Sequence, residues 1–191
     1  MSDKGGYPML ILASSSPRRA KLLKDAGLDF IVIPSHLDED IDDKLKPTEL
    51  VMELAKLKAL HVAADHPRDI VIGADTIVVF EEEILGKPKD DEDAYRMLKK
   101  LSGERHVVYT AVAITRGEQM VCFVSGTEVS MKQLSDLEIR NYIQTGEPMD
   151  KAGAYGIQGE GGSLVDHYKG DFFTIVGLPL KELLEKLKQF K

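Results

Sequence analysis

The stretch from Ile70 to Phe80 constrains this chain more than any other. It reads Ile-Val-Ile-Gly-Ala-Asp-Thr-Ile-Val-Val-Phe, apolar throughout except at Asp75 and Thr76. Such a run fits a buried strand. An ionised carboxylate placed there loses roughly several kcal/mol of hydration unless a cation or strong donors compensate. A structural carboxylate capping a neighbouring turn is one reading of Asp75. A metal ligand or general base at the end of a sheet strand is the other, and the Gly-Ala-Asp-Thr context favours it.

The remaining periodicities surround that strand with alternating elements. Met9 to Ala13 predicts a short buried strand, and Ser16 as N-cap with Pro17 as first helical residue predicts a helix closed at Gly27. Phe30 to Ile33 is a second strand candidate. A long helix should follow Pro47-Thr48, with Leu50, Val51, Leu54, Leu57 and Val62 as its apolar stripe. Ile84-Leu85 suggests a returning strand, and Asp90 or Asp91 can cap a helix ending at Ser102-Gly103. Two strands, Val107 to Thr115 and Gln119 to Lys132, should join at Arg116-Gly117-Glu118. Ser135 and Glu138 form a capping box opening a helix that ends near Gly146. After a glycine-rich loop from Gly153 to Gly162, Leu164-Val165 and Phe172 to Val176 predict a hairpin turning at Lys169-Gly170. Leu180, Leu183, Leu184, Leu187 and Phe190 form the stripe of a last helix. Strands alternate with helices first and hairpins dominate later, which gives an α/β or α+β domain with a mixed sheet.

Three sets of cations break local expectations. Arg18 and Arg19 sit in the first turn of a helix, where the dipole repels positive charge. Together with Ser14, its serine neighbours and free backbone N–H groups they would make a polyanion cradle; the bland reading is two surface arginines after a cap. Lys58 shares the face of Val51, Leu54 and Val62, so it either snorkels outward or answers a buried anion. Lys87 lies between Gly86 and Pro88 at a strand end. The segment is not a P-loop, because Pro88 stands where Ser or Thr is needed and Glu81 where the first glycine is needed. Nor does the later loop fit a dinucleotide fingerprint, since Leu164 takes the third glycine position counted from Gly159.

Charge and composition narrow the ligand. With 25 basic against 32 acidic residues and a formal charge of −7, the chain argues against nucleic acid as a partner but allows a local cation cluster for a small anion. Cys122 is the single cysteine, which excludes an internal disulfide and suits a cytoplasmic protein. Residues 1–8 are polar and lack the apolar core of a signal peptide, so they read as a flexible extension; no apolar run reaches membrane-spanning length. The five histidines show no zinc spacing. In the acidic stretch from Asp38 to Asp43, Glu39 could reach a hard divalent cation together with Asp75, and oxygen ligands suit magnesium or manganese.

Taken in order, seven short signatures resemble the Maf family of nucleoside triphosphate pyrophosphatases. They are Ala-Ser-Ser-Ser-Pro-Arg-Arg at 13–19, Asp-Glu at 38–39, Lys-Leu-Lys-Ala at 56–59, Gly-Ala-Asp-Thr at 73–76, Leu-Gly-Lys-Pro at 85–88, Leu-Ser-Gly at 101–103 and Asp-Lys-Ala-Gly-Ala-Tyr-Gly-Ile-Gln-Gly at 150–159. The resemblance runs from Leu10 to the last helix and implies one domain over 1–191. It implies an α/β fold with a mixed central sheet flanked by helices, similar to inosine triphosphate pyrophosphatases, with two lobes around a cleft. Also implied are hydrolysis of a nucleoside triphosphate to monophosphate and pyrophosphate, a divalent cation, a homodimer, and roles in septum formation or in removing modified nucleotides. The form of the 150–159 segment resembles the subgroup acting on dTTP and UTP.

On that resemblance the residues acquire expected roles. Arg18, Arg19, Lys58 and Lys87 would hold the triphosphate and spread its charge, and Ser14 would add a hydrogen bond. Glu39 and Asp75 would hold the cation, with Asp75 also accepting the proton of the attacking water. Arg18, Thr76 and Gln158 would tune base choice, and the Gln158 amide can both donate to and accept from a pyrimidine edge. A nucleotide-binding regulator without turnover and a nucleotidyltransferase remain open as alternatives.

Overall fold

Ile70–Phe80 forms the central strand of the sheet in the computed structural model, which describes residues 8–36 and 45–190. Glu39 and the acidic stretch around it lie outside the described residues. In chain order the regular elements are β1 (Leu10–Leu12), α1 (Pro17–Asp25), β2 (Ile31–Val32), α2 (Pro47–Ala63), β3 (Ile70–Phe80), β4 (Glu83–Leu85) and α3 (Asp91–Leu101). There follow β5 (Arg105–Arg116), β6 (Gln119–Met131), α4 (Asp136–Gln144), β7 (Val165–Lys169), α5 (Phe172–Val176) and α6 (Leu180–Leu187). The seven strands make one mixed sheet in the order β2-β1-β3-β5-β6-β7, with β4 also paired to β3. β1 runs parallel to β2 and to β3, and every other pairing is antiparallel. This is the mixed α/β sheet flanked by helices that the sequence predicts.

The pairing of β3 makes room for a site. Along one edge β5 pairs with β3 from Val71 to Val79. The other edge is shared: β1 takes residues 70–72 and β4 takes residues 78–80. Between them the sheet edge opens at residues 73–77, at the C-terminal end of the parallel pair, where open α/β sheets commonly bind ligands. Side chains alternate across the sheet, so Gly73, Asp75 and Ile77 face α2 while Ala74, Thr76 and Val78 face the other side.

Packing follows the same division. On the α2 side, Val51, Ala55 and Ala59 pack against Ile77, Ala111 and Ala113. A Cβ at Gly73 would run into the Ala55 carbonyl oxygen and the Ala59 nitrogen, so a glycine is what lets α2 lie this close to the strand. On the opposite face, Leu22 and Leu23 of α1 join Leu183 and Leu187 of α6 over Ile72, Ala74 and Val112. A further apolar group gathers α3 and α4 (Leu98, Leu101, Ile139, Tyr142) around Val78, Leu85 and Tyr155.

Local chemistry explains the element ends. Ser16 caps α1 by accepting from the Arg19 N–H, Asp90 caps α3, and Ser135 with Glu138 closes the predicted box on α4. Three expectations fail. Residues 165–169 form β7 but pair with β6, and Phe172–Val176 is a helix rather than the second arm of a hairpin. Asp171 accepts from the Phe173 N–H as an N-cap and Gly177, at φ +115, ends the turn, so capping overrides the β-rich composition. The strand predicted over Phe30 to Ile33 is reduced to Ile31 and Val32, an exposed sheet edge. Leu57, assigned to the buried stripe of α2, is 44% exposed because Gly73 and Ile77 draw the helix in along Val51, Ala55 and Ala59 instead.

Candidate active site

The open edge of β3 leads into a cavity of about 590 Å³. Ser14, Arg18, Arg19, Lys58, Asp75, Thr76, Lys87 and Gln158 all line it, so the fold brings to one place every predicted site residue that lies among those described. Walls come from the β1–α1 turn on one side and from the β4–α3 connection and the 150–158 segment on the other.

The floor is an ion pair. Lys58 Nζ donates to Asp75 Oδ1 at 2.5 Å, and the two side chains are only 14% and 12% exposed. Lys58 comes from α2 and Asp75 from β3, and the close approach at Gly73 sets the distance between the elements. Of the two readings of Lys58, the structure takes the second: its ammonium turns inward to a buried carboxylate. Lys56, two residues earlier, pairs with Glu53 on the outside of the helix.

Arg18 and Arg19 diverge from the same helical turn. Arg19 turns under the cavity: Nε donates to the Gly177 carbonyl at 2.8 Å, Nη1 to Ser14 Oγ at 3.0 Å and Nη2 to Thr76 Oγ1 at 3.0 Å. Ser14 Oγ also accepts from the Ser16 N–H at 3.2 Å, which leaves its own proton for a ligand. Thr76 differs. Thr110 donates its proton to the Thr174 carbonyl at 2.7 Å, so in the 2.9 Å contact between the two threonines Thr76 is the donor. With its proton given to Thr110 and a lone pair given to Arg19, Thr76 holds the guanidinium in place at the edge of the cavity.

Arg18 points to the rim, where Nη1 meets Asp150 Oδ2 at 3.2 Å. Asp150 Oδ1 in turn accepts from Lys151 Nζ at 2.7 Å. Burial opposes the charge on Asp150, but Lys151 and Arg18 outweigh it and hold its carboxyl below the usual value. Both residues belong to the quoted 150–159 segment without having been assigned a role. Nothing in their spacing distinguishes them from solvated residues; only the fold carries them to the cavity. Lys87 is exposed on the facing wall and has no ion pair among the described residues; the Gly86 carbonyl beside it accepts from the Gly153 N–H at 3.0 Å, which pins the turn. Gln158 is exposed at the rim.

The result is an electropositive recess in an acidic protein. Five cations (Arg18, Arg19, Lys58, Lys87, Lys151) stand against the carboxylates of Asp75 and Asp150. Among the described residues no group of three or more His, Cys, Asp or Glu is placed to hold a metal by itself. A cation that keeps its waters and binds chiefly through phosphate oxygens needs only one or two carboxylates, and Asp75 fits that donor set. Among the described residues no helix is long and apolar enough to cross a membrane.

The family description "Maf-like protein" matches residues 9–190. The chain belongs to the Maf family. A dTTP/UTP pyrophosphatase of Bacillus cytotoxicus is 50% identical over 180 residues, covering 94% of both chains. A dTTP/UTP pyrophosphatase of Bacillus cereus is 49% identical over 181 residues, covering 95% of both. Among solved structures, the Staphylococcus aureus Ham1 protein aligns with a TM-score of 0.45 at 20% identity, covering 64% of this chain and 71% of that one. Of the seven signatures in the sequence of this Maf family member, five (13–19, 56–59, 73–76, 85–88 and 150–159) contribute residues to one recess of its fold; Leu-Ser-Gly at 101–103 lines no part of it, and Asp-Glu at 38–39 lies outside the described residues.

Proposed function

We propose that this Maf family chain hydrolyses dTTP and UTP to the nucleoside monophosphate and pyrophosphate. The observation that carries the reading is the buried Lys58–Asp75 pair on the floor of a cation-lined recess. The half-identical relatives named for the same substrates support it. Asp75 accepts a proton from water as the water oxygen attacks the α-phosphorus, and the α–β bridging oxygen departs with pyrophosphate. Lys58 keeps that carboxylate oriented, while Arg18, Lys87 and Lys151 face the growing charge on the phosphates. Ser14 supplies one neutral donor. Gln158 at the rim can donate and accept along a pyrimidine edge. Asp75 together with Glu39 would hold a magnesium or manganese ion, which would supply positive charge against the departing pyrophosphate.

The test is product identity. Incubated with dTTP or UTP and magnesium, the protein releases pyrophosphate, and Asp75→Asn nearly abolishes release. Orthophosphate as first product would refute the bond assignment. Nucleotide-dependent thermal stabilisation without turnover under any metal would turn the reading into that of a binding regulator. The reading also includes a cytoplasmic setting, supported by the single cysteine, and a homodimer, supported by the family resemblance and measurable by light scattering.

A further inference from the structure

The glycine-rich loop that fails the dinucleotide pattern is wrapped around an anion of the protein's own. Glu147, which opens the short helical turn Glu147–Asp150, points its carboxylate into the loop. Its Oε2 accepts from the Glu160 N–H at 2.9 Å, and its Oε1 accepts from the Gly161 N–H at 3.1 Å and from the Tyr142 hydroxyl at 2.9 Å. The Tyr142 oxygen accepts in turn from the Gly156 N–H at 3.2 Å. Convergent backbone N–H groups are what such loops offer to phosphate; here they are spent on a side chain. The glycines follow from that. A Cβ at Gly159 would collide with the Glu147 carboxylate, and one at Gly161 would lie 2.5 Å from the Tyr142 hydroxyl.

Burial opposes the Glu147 charge, but the Gly161 and Glu160 N–H groups and Tyr142 outweigh it, so the carboxyl stays below its usual value. The loop so fastened contributes Tyr155, Gly156, Ile157 and Gln158 to the cavity, whereas Glu147 itself does not line it.

We propose that Glu147 is a positioning residue for base selectivity: by gathering the N–H groups of Glu160, Gly161 and, through Tyr142, Gly156, it fixes the loop so that Gln158 is presented to the nucleobase. This rests on the pyrimidine nucleotide reading above. Glu147→Gln keeps the size but places an NH₂ donor against a backbone N–H donor, so one loop contact is lost.

Two quantities test it, the ratio of kcat/KM for dTTP over dCTP and the ratio of their Kd values measured calorimetrically in EDTA. Expected is a loss of about tenfold in both ratios, the scale of one unpaired polar contact, with the amides of Gly156, Glu160 and Gly161 exchanging faster. A merely destabilised protein loses active fraction equally for both nucleotides, so its ratios do not move. Placed on Gln158→Ala, Glu147→Gln has no further effect on the ratios if it acts through Gln158. Tyr142→Phe, which removes the hydroxyl link, moves the ratios the same way and serves if Glu147→Gln does not fold. Unchanged ratios in a folded variant, additive effects with Gln158→Ala, or a wild type without preference for dTTP overturn the inference. A wild type that binds dTTP selectively but never cleaves it overturns the catalytic reading alone, and the Kd ratio still decides this one.

Discussion

Acid should destabilise this protein through one histidine well before its carboxylates protonate. His106 is 2% exposed; its Nε2 meets the Tyr155 hydroxyl at 2.6 Å, and its Nδ1 is buried without a hydrogen-bond partner. Charging the ring would bury a cation with an unpaired N–H. Burial accordingly pushes its pKa down from 6.5 to about 4. Between those values the unfolded chain binds a proton that the folded chain refuses, so stability falls as the pH drops from about 6.5 and levels off near 4. For these two values the loss between pH 7 and pH 5 is about 2 kcal/mol, or about 4–8 °C in Tm for a domain this size. Glu147 and Asp150 also lose stabilising contacts in acid. Their carboxyls are held below the ordinary 4.5 and 3.8, so their losses set in as the pH falls through those unfolded values, below the range from pH 7 to pH 5. The assay is urea unfolding at pH 7, 6 and 5 for wild type and His106→Gln, whose amide still reaches Tyr155 but does not titrate. Every other titrating group is common to the two proteins, so the difference isolates position 106. The wild type should lose about 2 kcal/mol more than the variant. Parallel losses would refute the reasoning, because the acid sensitivity would then lie elsewhere.

Other perturbations separate packing from chemistry. Gly73→Ala should destabilise by about 3 kcal/mol, read by urea unfolding, and depress turnover as well, since α2 cannot retreat without drawing Lys58 from Asp75. Lys58→Met takes the ammonium away from the half of the ion pair on β3 and should cost about 3 kcal/mol. Adding Asp75→Asn should restore most of that stability and none of the activity, a split visible by comparing unfolding midpoints with pyrophosphate release. EDTA should stop dTTP turnover, with recovery on adding magnesium or manganese, while the unfolding midpoint of the nucleotide-free protein stays where it was. Thr110→Val should raise KM for nucleotide by freeing the Thr76 hydroxyl that orients Arg19, with Thr110→Ser close to wild type.

The sequence made the sheet legible where burial pattern and capping agreed. β3, the β5–β6 hairpin, the Ser16 and Asp90 caps and the Ser135–Glu138 box all depend on interactions within a few residues or on strict apolar runs. Phe172–Val176 misleads because its composition favours a strand while Asp171 and Gly177, one residue outside at each end, set a helical turn. The site was legible for a different reason: Asp75 in an apolar strand, Lys58 on an apolar stripe and arginines at a helix start each contradict their own surroundings. Glu147, Asp150 and Lys151 contradict nothing locally. An acidic residue before a proline and an Asp-Lys pair in a loop are ordinary surface sequence. Their partners lie up to 132 residues away, as for Arg18 and Asp150, and no short-range pattern encodes that.

Two arginines against a helix dipole are reconciled by going separate ways. Arg19 gives donors to a carbonyl and two hydroxyls, which stitches the start of α1 to β3 and to Gly177 after α5. Its charge then sits fixed beneath the cavity, at no further ordering cost when an anion arrives. Arg18 keeps its place through an exposed carboxylate that a phosphate can replace, since Asp150 is also held by Lys151. One arginine is therefore part of the scaffold and the other is exchangeable. Lys58 and Asp75 form a second fixed contact at the cavity floor, where the lysine is locked to the carboxylate that the proposed mechanism turns toward water. The local unfavourable term at the helix N-terminus, about 0.3–1 kcal/mol per charge, is small beside such contacts, which is why the fold tolerates it.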